Sequence, residues 1–357
     1  MINQEKISID WINQVSKKNR NADKILVEKV IRALLLLEGL VKKQLPFVFK
    51  GGTSLMLHFN STKRLSIDID IIIPTAIENL EELLIQASIE QGFIRTELQH
   101  RSTDSIIKKE HYKFFYIPLH KTNKEEGYIL LDILFEKVNY SNIIELPIDS
   151  DFLPMIDTPL NVAVPSLEDL LGDKLTAYAP NTTGIPYLKS GNSMSMEIIK
   201  QLYDIGNLFD AAEDINIIKN TFSSFAKTEL IYRNHNQLNE IDVLDDIYQT
   251  SLCIITRGTD GKVNFEELQK GIQRISGFIF SESYNIEKAI THASKAAYLS
   301  CLIKDGAQSF EKFSNPTQMK DWLIDEPLNN KLNKLKKSNP EAFFYWYKIY
   351  ELLNHRS

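Results

Sequence analysis

Apolar and polar residues follow two different patterns along the chain, which predict a mixed N-terminal part and a helical C-terminal part. Between Leu26 and Leu37 apolar side chains recur every three or four positions, so we expect helices within the first 45 residues. Residues 47–49 form a short apolar run that suits a buried strand, and two glycines end it. Thr53 follows at a position where it can cap a helix that runs to about residue 59.

A second strand is predicted over residues 65–73, where Ser66, Asp68 and Asp70 alternate with apolar residues. Further along, the pattern predicts one amphipathic helix and two strands, over residues 78–92, 114–119 and 128–135. From residue 166 onward the strong signals are helical, in segments near residues 166–178, 194–209, 215–234, 244–256, 265–275 and 286–302. We therefore expect an α+β protein, with an α/β domain over residues 1–165 and an α-helical domain over residues 166–357.

Composition and charge exclude several classes of protein. The 357 residues carry 41 Lys and Arg against 47 Asp and Glu, a net charge of −6, which excludes an overall basic nucleic-acid coat but allows a local basic patch. Two cysteines, Cys253 and Cys301, are too few for a disulfide framework or a cysteine-rich zinc site. The longest apolar stretch, residues 33–37, is far too short to span a bilayer, and the start of the chain does not resemble a secretory signal. We expect a cytoplasmic protein with no membrane association.

Two carboxylates on the second predicted strand are the strongest candidates for chemistry. Asp68 and Asp70 are two residues apart, so on a strand their side chains emerge from the same face. Two negative charges at that distance repel each other unless a cation neutralises them, and Mg²⁺ is the hard cation that proteins hold with one or two carboxylates and substrate phosphates. The plain alternative is an Asp-x-Asp pair on a solvated sheet edge.

The glycine pair before these carboxylates suits the binding of a phosphate group. Gly51 and Gly52 leave room for close approach to the backbone, and the helix that follows presents free N–H groups to an anion. Thr53 and Ser54 add hydroxyl donors. A glycine pair taken alone is usually only a turn. A phosphate cradle beside a carboxylate pair suits phosphoryl or nucleotidyl transfer.

Asp132 supplies a third acid within the apolar strand predicted over residues 128–135. An acid among so many apolar residues costs free energy unless it is paired or binds a metal. It can act as a general base toward an attacking hydroxyl or complete a metal site. Exposure to solvent, or an ion pair with a lysine, is the alternative interpretation.

Three segments in a fixed order resemble a known family. The first joins a glycine-pair motif to the acidic strand, Lys50-Gly51-Gly52-Thr53-Ser54-Leu55 and then Arg64-x-Ser66-x-Asp68-x-Asp70. The second is a helical segment that contains Lys174, and the third contains Asp204 in Lys200-Gln201-Leu202-Tyr203-Asp204-Ile205. Together they resemble the AbiEii/AbiGii toxin-family nucleotidyltransferases, which belong to the DNA polymerase β-like nucleotidyltransferase superfamily and include the MenT toxins. The resemblance covers about residues 25–210.

The resemblance implies a fold, a reaction and a set of site residues. The fold is a polymerase β-like mixed sheet with flanking helices, followed by a helical domain that contributes Lys174 and Asp204 to the active site. The implied catalytic residues are Asp68, Asp70, Lys174, Asp204 and Asp132. The implied nucleotide-binding residues are Lys50, Gly51, Gly52, Thr53, Ser54, Arg64 and Ser66. The implied ligands of Mg²⁺ are Asp68, Asp70 and Asp132.

The implied activity is a Mg²⁺-dependent nucleotidyltransferase toxin of a type IV toxin–antitoxin or abortive-infection system. Its substrates are a nucleoside triphosphate (NTP) and, by resemblance, the 3′ end of tRNA, whose modification blocks translation. A cognate antitoxin encoded nearby is the expected partner. Lys174 suits the neutralisation of charge on leaving pyrophosphate, and Asp204, with Asp132, suits preparation of the acceptor hydroxyl.

Two other functions remain open from the sequence. The same fold could transfer a nucleotide to a small molecule or to a protein hydroxyl. A catalytically idle nucleotide-binding protein that acts through a partner is the alternative from a different class. Individual residues also have plain interpretations, because Lys174 fits the surface of an amphipathic helix and Lys200 lies four residues from Asp204, as in an ordinary helical ion pair.

Overall fold

The structure is a computed structural model that describes residues 1–59, 63–99, 108–120, 125–261, 263–325 and 328–354. It divides into two compact units. The first unit comprises Met1–Ser166 together with Gly277–Ser283, and the second comprises Leu167–Ser276 and Tyr284–Ser357. The chain therefore changes unit next to the predicted boundary at residue 165, and it also returns to the first unit for a short segment that the sequence did not indicate.

The first unit is α+β, as the hydrophobic pattern predicted. Its helices are α1 (Ile9–Lys18), α2 (Lys24–Lys42), α3 (Gly51–His58) and α4 (Leu80–Glu90). Its strands are β1 (Val48–Lys50), β2 (Ile69–Ile72), β3 (Arg95–Leu98), β4 (Lys109–Tyr116), β5 (Gly127–Leu134), β6 (Ile143–Pro147) and β7 (Asn161–Pro165).

Five strands form one mixed sheet in the order β1-β2-β5-β4-β3. The pair β2–β5 is parallel, and the other three pairs are antiparallel. One face of the sheet is apolar: Ile129, Leu131 and Ile133 alternate along β5 and are almost fully buried. Helix α2, whose first backbone N–H groups donate to the Asp23 side chain, buries most of its length in the same core. The opposite face is left to carry polar residues.

A second, two-stranded sheet lies within residues 143–165, for which the sequence analysis predicted no strand. Strands β6 and β7 pair in antiparallel fashion, with Pro147 and Pro165 at their ends. Val162 and Val164 on β7 are buried, so this strand joins the core of the unit. Proline is tolerated at a strand end because the missing N–H is not needed there.

Two local predictions about the motif region are wrong in detail. The predicted strand over residues 65–73 is shorter, because β2 begins only at Ile69, and Asp68 precedes the strand. Helix α3 begins at Gly51 with Lys50 at its N-cap, so Thr53 lies within the first helical turn and does not cap it. The shorter strand has a cause distant in sequence, because the backbone N–H of Leu65 donates to the carbonyl of Phe278.

The second unit is helical, as predicted. Its helices are α5 (Leu167–Ala177), α6 (Ser195–Ala211), α7 (Ile215–Tyr232), α8 (Glu240–Ile255), α9 (Phe265–Arg274), α10 (Ile286–Asp305), α11 (Asn329–Ser338) and α12 (Pro340–Asn354). The strands β8 (Leu188–Lys189) and β9 (Asn192–Ser193) form a two-residue hairpin pair between α5 and α6. The aromatic run of α12 is core, since Phe343 and Trp346 are almost fully buried. Within the described ranges, no helix is both long and apolar enough to cross a membrane.

The returning segment Gly277–Ser283 packs beside the residues that precede the acidic strand. The backbone N–H of Leu65 donates to the carbonyl of Phe278 at 2.9 Å, and Arg64 forms an antiparallel β-bridge with Ile279. The Ser281 hydroxyl donates to the carbonyl of Lys63 at 2.7 Å. These contacts hold the backbone of residues 63–65, which includes Arg64, in place.

A close contact between α6 and α10 fixes the helix that carries Asp204. A Cβ at Gly206 would overlap the imidazole ring of His292, and the overlap involves several ring atoms. Tyr203, on the same helix, packs against the same ring with centroids 5.6 Å apart. The helices therefore meet at a point where only glycine fits.

We predict that Gly206→Ala lowers the stability of the protein by about 1–3 kcal/mol, because the added methyl group overpacks this contact. In a helix without this contact, alanine would stabilise the protein by about 1 kcal/mol relative to glycine. A net loss of stability would therefore show that the overlap with His292 outweighs the gain in helix propensity. The matched control is Gly277→Ala, whose Cβ would meet nothing within 4 Å. Urea unfolding measures both variants, and a Gly206→Ala variant as stable as wild type would contradict the packing argument.

Candidate active site

A row of ionisable side chains, which includes two carboxylates, crosses four neighbouring strands of the mixed sheet. Lys50 on β1 is the register partner of Asp70 on β2, and Asp70 is in turn the partner of Asp132 on β5. The row ends at His111 on β4, the partner of Asp132. Register partners on adjacent strands project from the same face, about 5 Å apart. We call these four residues the charged row.

His111 belongs to this row although sequence analysis did not select it. Its Nδ1 lies 2.6 Å from Oδ1 of Asp132, and the His111 side chain is only 14% exposed. The period-2 pattern of β4, in which Tyr112 and Phe114 are buried, does place His111 on the polar face. That pattern identifies the contact with Asp132 only once the strand order and register are known.

Gly51 meets the middle of the charged row at very short range. Its φ of +83° is in the left-handed region, and an added Cβ would overlap Oδ2 of Asp70. Glycine is required here both for backbone conformation and for space. The beginning of α3 is therefore packed directly against a carboxylate of β2.

Gly52 faces the polar groups of the segment that leads into β2. A Cβ at Gly52 would lie 2.5 Å from Nη2 of Arg64 and 3.0 Å from Oγ of Ser66. Arg64 is buried, with 8% of its surface exposed, and its Nη1 donates to the carbonyl of Leu65 at 3.3 Å. The structure thus brings together the glycine pair, Arg64 and Ser66 at the N-terminus of an eight-residue helix.

The two hydroxyl residues of the motif are fully buried and hold this arrangement from within. Thr53 Oγ1 lies 2.9 Å from Oγ of Ser66 and 2.5 Å from the carbonyl oxygen of Asp68. Ser54 donates to the carbonyl of Gly51 at 2.8 Å. The contacts of Thr53 join α3 to the segment before β2, and they leave the Asp68 side chain exposed.

The carboxylates of the first unit suit a hard cation. Asp70 and Asp132 lie on adjacent parallel strands with side chains on the same face, and carboxylate oxygens are the ligands that Mg²⁺ prefers. Among the described residues, no group of three or more His, Cys, Asp and Glu side chains is close enough to hold a metal ion by itself. Mg²⁺ is commonly bound by one or two carboxylates with substrate phosphates completing the shell, and these residues fit that arrangement.

In the second unit, the structure brings together the two motif residues of the helical domain. Lys174 on α5 and Asp204 on α6 form an ion pair with Nζ and Oδ2 3.1 Å apart, and the two side chains are 9% and 2% exposed. Lys174 Nζ also donates to Oε1 of Gln201 at 2.9 Å. Lys200 forms an ion pair with Glu197 at 3.0 Å. Lys174 is therefore not the surface lysine that the plain interpretation suggests.

His292 is the buried titratable group next to this pair. Burial, followed by the charges of Lys295 and Lys288, holds the pKa of His292 well below its ordinary value of 6.5, although Asp204 acts in the opposite direction. Its Nδ1 is buried and has no hydrogen-bond partner in the described part of the chain. The imidazole is therefore neutral at pH 7.

A match to a known sequence model shows the family of this chain. The sequence model of the family described as "Nucleotidyl transferase AbiEii toxin, Type IV TA system" matches residues 35–288, more than half of the chain. The chain belongs to this AbiEii family. The matched range contains every candidate site residue. It also contains His111, which lies outside the three motif segments identified in the sequence. Membership in a type IV toxin–antitoxin family implies a cognate antitoxin as partner.

Two solved structures from Helicobacter pylori are similar to this AbiEii-family chain. The structure of JHP933 is 16% identical, spans 78% of this chain and 90% of its own, and has a TM-score of 0.42. A second structure, of a candidate nucleotidyltransferase, is 18% identical over 80% of this chain and 96% of its own, with a TM-score of 0.43. No curated protein sequence matches the chain.

We predict that Gly51→Ala weakens NTP binding by about tenfold or more. The Cβ must displace the Asp70 carboxylate or the start of α3, and each ~1.4 kcal/mol of lost interaction is tenfold in affinity. Titration with a fluorescent NTP measures the change. The control is Gly191→Ala, a second glycine with positive φ, whose Cβ would meet nothing within 4 Å. Both variants carry the backbone strain, and equal losses of affinity would contradict the steric argument.

A second prediction concerns acid stability. His292 takes up a proton below about pH 6.5 in the unfolded chain but not in the folded one, so stability falls as pH decreases from that value. The slope due to this one group is at most about 1.4 kcal/mol per pH unit. Urea unfolding between pH 7.5 and about pH 5 should show a shallower dependence for His292→Gln. Equal slopes in the two proteins would show that His292 is accessible to protons in the fold.

Proposed function

We propose that this AbiEii-family protein transfers a nucleotide from an NTP to the 3′ end of tRNA in a Mg²⁺-dependent reaction, in the cytoplasm. The observation that carries the proposal is the charged row beside the glycine pair, because it puts carboxylates next to a helix N-terminus that can receive phosphate. Asp68 and Asp70, with Asp132, are the proposed ligands of the cation. A bound Mg²⁺ would supply neutralisation of the triphosphate charge and of the leaving group.

The remaining roles belong to the side chains of this protein. The backbone N–H groups at the start of α3, with Arg64 and Ser66 against Gly52, would hold the phosphates of the NTP. Lys50 and Lys174 are cations that would offset their charge, the second on the strength of the family motif. Thr53 and Ser54 would act through the loop geometry that they maintain.

The proposed transfer step forms one bond, breaks one bond and moves one proton. The 3′-hydroxyl oxygen of the acceptor forms a bond to the α-phosphorus of the NTP, and the bond from that phosphorus to the bridging oxygen breaks, so pyrophosphate leaves. The hydroxyl proton passes to a carboxylate, for which Asp132 and Asp204 are the candidates. The 2.6 Å contact with His111 would hold the Asp132 carboxylate in a fixed orientation.

Other acceptors remain in competition with tRNA. A small molecule or a protein hydroxyl could receive the nucleotide through the same chemistry, and an idle site would bind the NTP without product. The motif order and the charged row favour an active nucleotidyltransferase, because carboxylates that hold Mg²⁺ beside the phosphates are what the transfer step requires. The acceptor itself is proposed from the family resemblance.

The test is incubation of the purified protein with each α-labelled NTP, Mg²⁺ and total tRNA, followed by gel analysis. We expect label on tRNA with wild-type protein and a loss of about 10²-fold or more with Asp68→Asn, since a group that stabilises transition-state charge contributes that much. The Asp68 side chain is exposed, so we expect its replacement to affect the fold little, and thermal unfolding of the variant checks this. The matched control is Asp151→Asn, an exposed carboxylate that pairs with Lys18.

Each other outcome points to a different function. Label that appears on a small molecule or a protein, but not on RNA, would replace tRNA as the acceptor. NTP binding without any labelled product would favour the idle partner protein. Full transfer by Asp68→Asn would remove this carboxylate from the mechanism.

A further inference from the structure

The face of the mixed sheet that carries the charged row continues into a second cluster of side chains. On β5, Tyr128 and Leu130 share the face of Asp132, because they lie four and two residues before it. Their register partners on β4 are Phe115 and Lys113. One strand further, on β3, Arg95 is the partner of Phe115. The polar face thus changes from carboxylates to aromatic rings and cations along one strand.

Cations surround the two aromatic rings of this cluster. Lys113 and Lys29 place their Nζ atoms 4.9 Å and 5.4 Å from the ring centroid of Tyr128. The guanidinium carbon of Arg95 lies 3.4 Å from the centroid of Phe115. The two rings are 5.9 Å apart, so Phe115, which is almost fully buried, supports the half-buried ring of Tyr128 from the side. We call Tyr128, Phe115, Lys113, Lys29 and Arg95 the aromatic platform.

The charges of the platform are only partly balanced. Arg95 forms ion pairs with Glu97 and Glu126. Lys29 and Lys113, in contrast, form no ion pair with any residue in the described ranges. Glu97 on β3 lies opposite Lys113 and interacts with its charge, but it forms no ion pair with it. Two lysines held over an aromatic ring without an ion-pair partner are a feature that a polyanion with flat bases would complement.

We propose that the aromatic platform binds the single-stranded 3′ segment of the acceptor RNA, with a base stacked on Tyr128 and phosphates at Lys29 and Lys113. The proposal rests on the proposed function, which places the reacting 3′-hydroxyl at the charged row. Tyr128 and Asp132 are four residues apart on a strand, or about 13 Å, which is the length of about four stacked nucleotides at ~3.4 Å each. The strand β5 thereby leads the RNA end toward the acids.

The test measures RNA binding directly, without NTP, so that it does not depend on transfer. A fluorescein-labelled single-stranded RNA of about ten nucleotides, within the site size of such surfaces, is titrated with the full chain at several salt concentrations. Tyr128→Ala should weaken binding at least about fivefold through lost stacking, and Tyr128→Phe, which keeps the ring, should bind as wild type does.

The lysines are tested by the salt dependence of the same affinity. Each phosphate contact contributes about 0.7 to the slope of log K against log salt for single strands, so Lys29→Ala with Lys113→Ala should lower the slope by about 1.4. The control is Lys18→Ala, an exposed lysine of the first unit that lies outside the platform and should keep the wild-type slope. Thermal unfolding of each variant, and its affinity for a fluorescent NTP, show that the fold and the nucleotide site are retained.

The results separate this proposal from the proposed function. An unchanged slope together with wild-type affinity in Tyr128→Ala would overturn the platform, even if tRNA is labelled in the transfer assay. Absence of RNA binding by wild-type protein would also overturn it. RNA binding that depends on Tyr128 and the lysines, with no transfer to tRNA, would support the platform and require a different reaction at the charged row.

Discussion

The contact between Gly51 and the Asp70 carboxylate is the constraint on which the first unit's site depends. It occurs where β1 ends and α3 begins, and it permits no side chain, so the helix N-terminus and the acid are held against each other. Strand pairing places Lys50 beside Asp70, and Asp70 beside Asp132. The positions of these side chains across the sheet are therefore fixed relative to that contact. A shift of one residue in any of these pairings would turn the carboxylates into the apolar core. The buried hydroxyl of Thr53 secures the same geometry from the other side, since it binds the backbone of Asp68.

What the sequence could predict here was local. The glycine pair, the Asp-x-Asp alternation and the acid within an apolar strand are each visible within a few residues. The helical period of the segments in the second unit is visible as well. His111 and the segment Gly277–Ser283 were not predicted, because their parts in the site arise from pairing with residues 21 and more than 200 positions away. The strand expected over residues 65–73 was too long for the same reason: in place of a sheet partner, Leu65 bonds to Phe278. Periodicity reports which face a residue prefers, but it does not report what lies opposite.

The second unit shows the same division between motif and environment. The motif order identified Lys174 and Asp204 together, yet the sequence alone favoured a surface lysine and a helical pair between Lys200 and Asp204. The structure buries Lys174 against Asp204, and breaking such a buried pair by removing one partner typically costs about 3–5 kcal/mol. A pair this costly to break is poorly explained by stability alone, because well-packed apolar residues serve that purpose at least as well. The pair holds the ammonium group of Lys174 in one position, which is what the charge neutralisation proposed for this residue would require.

The net charge of −6 and a nucleic-acid acceptor are compatible because the polar face of the sheet is not uniform. The two features meet on β5, where Asp132 belongs to the charged row and Tyr128, four residues before it and with lysines around its ring, belongs to the aromatic platform. A polyanion that approaches this face is attracted at the platform and repelled by the acids unless a cation covers them. Only the end of the proposed RNA acceptor, where the phosphates stop and a hydroxyl begins, would meet the row without that repulsion. For such an acceptor the same gradient would supply both affinity and direction, within one sheet whose other face packs against the core.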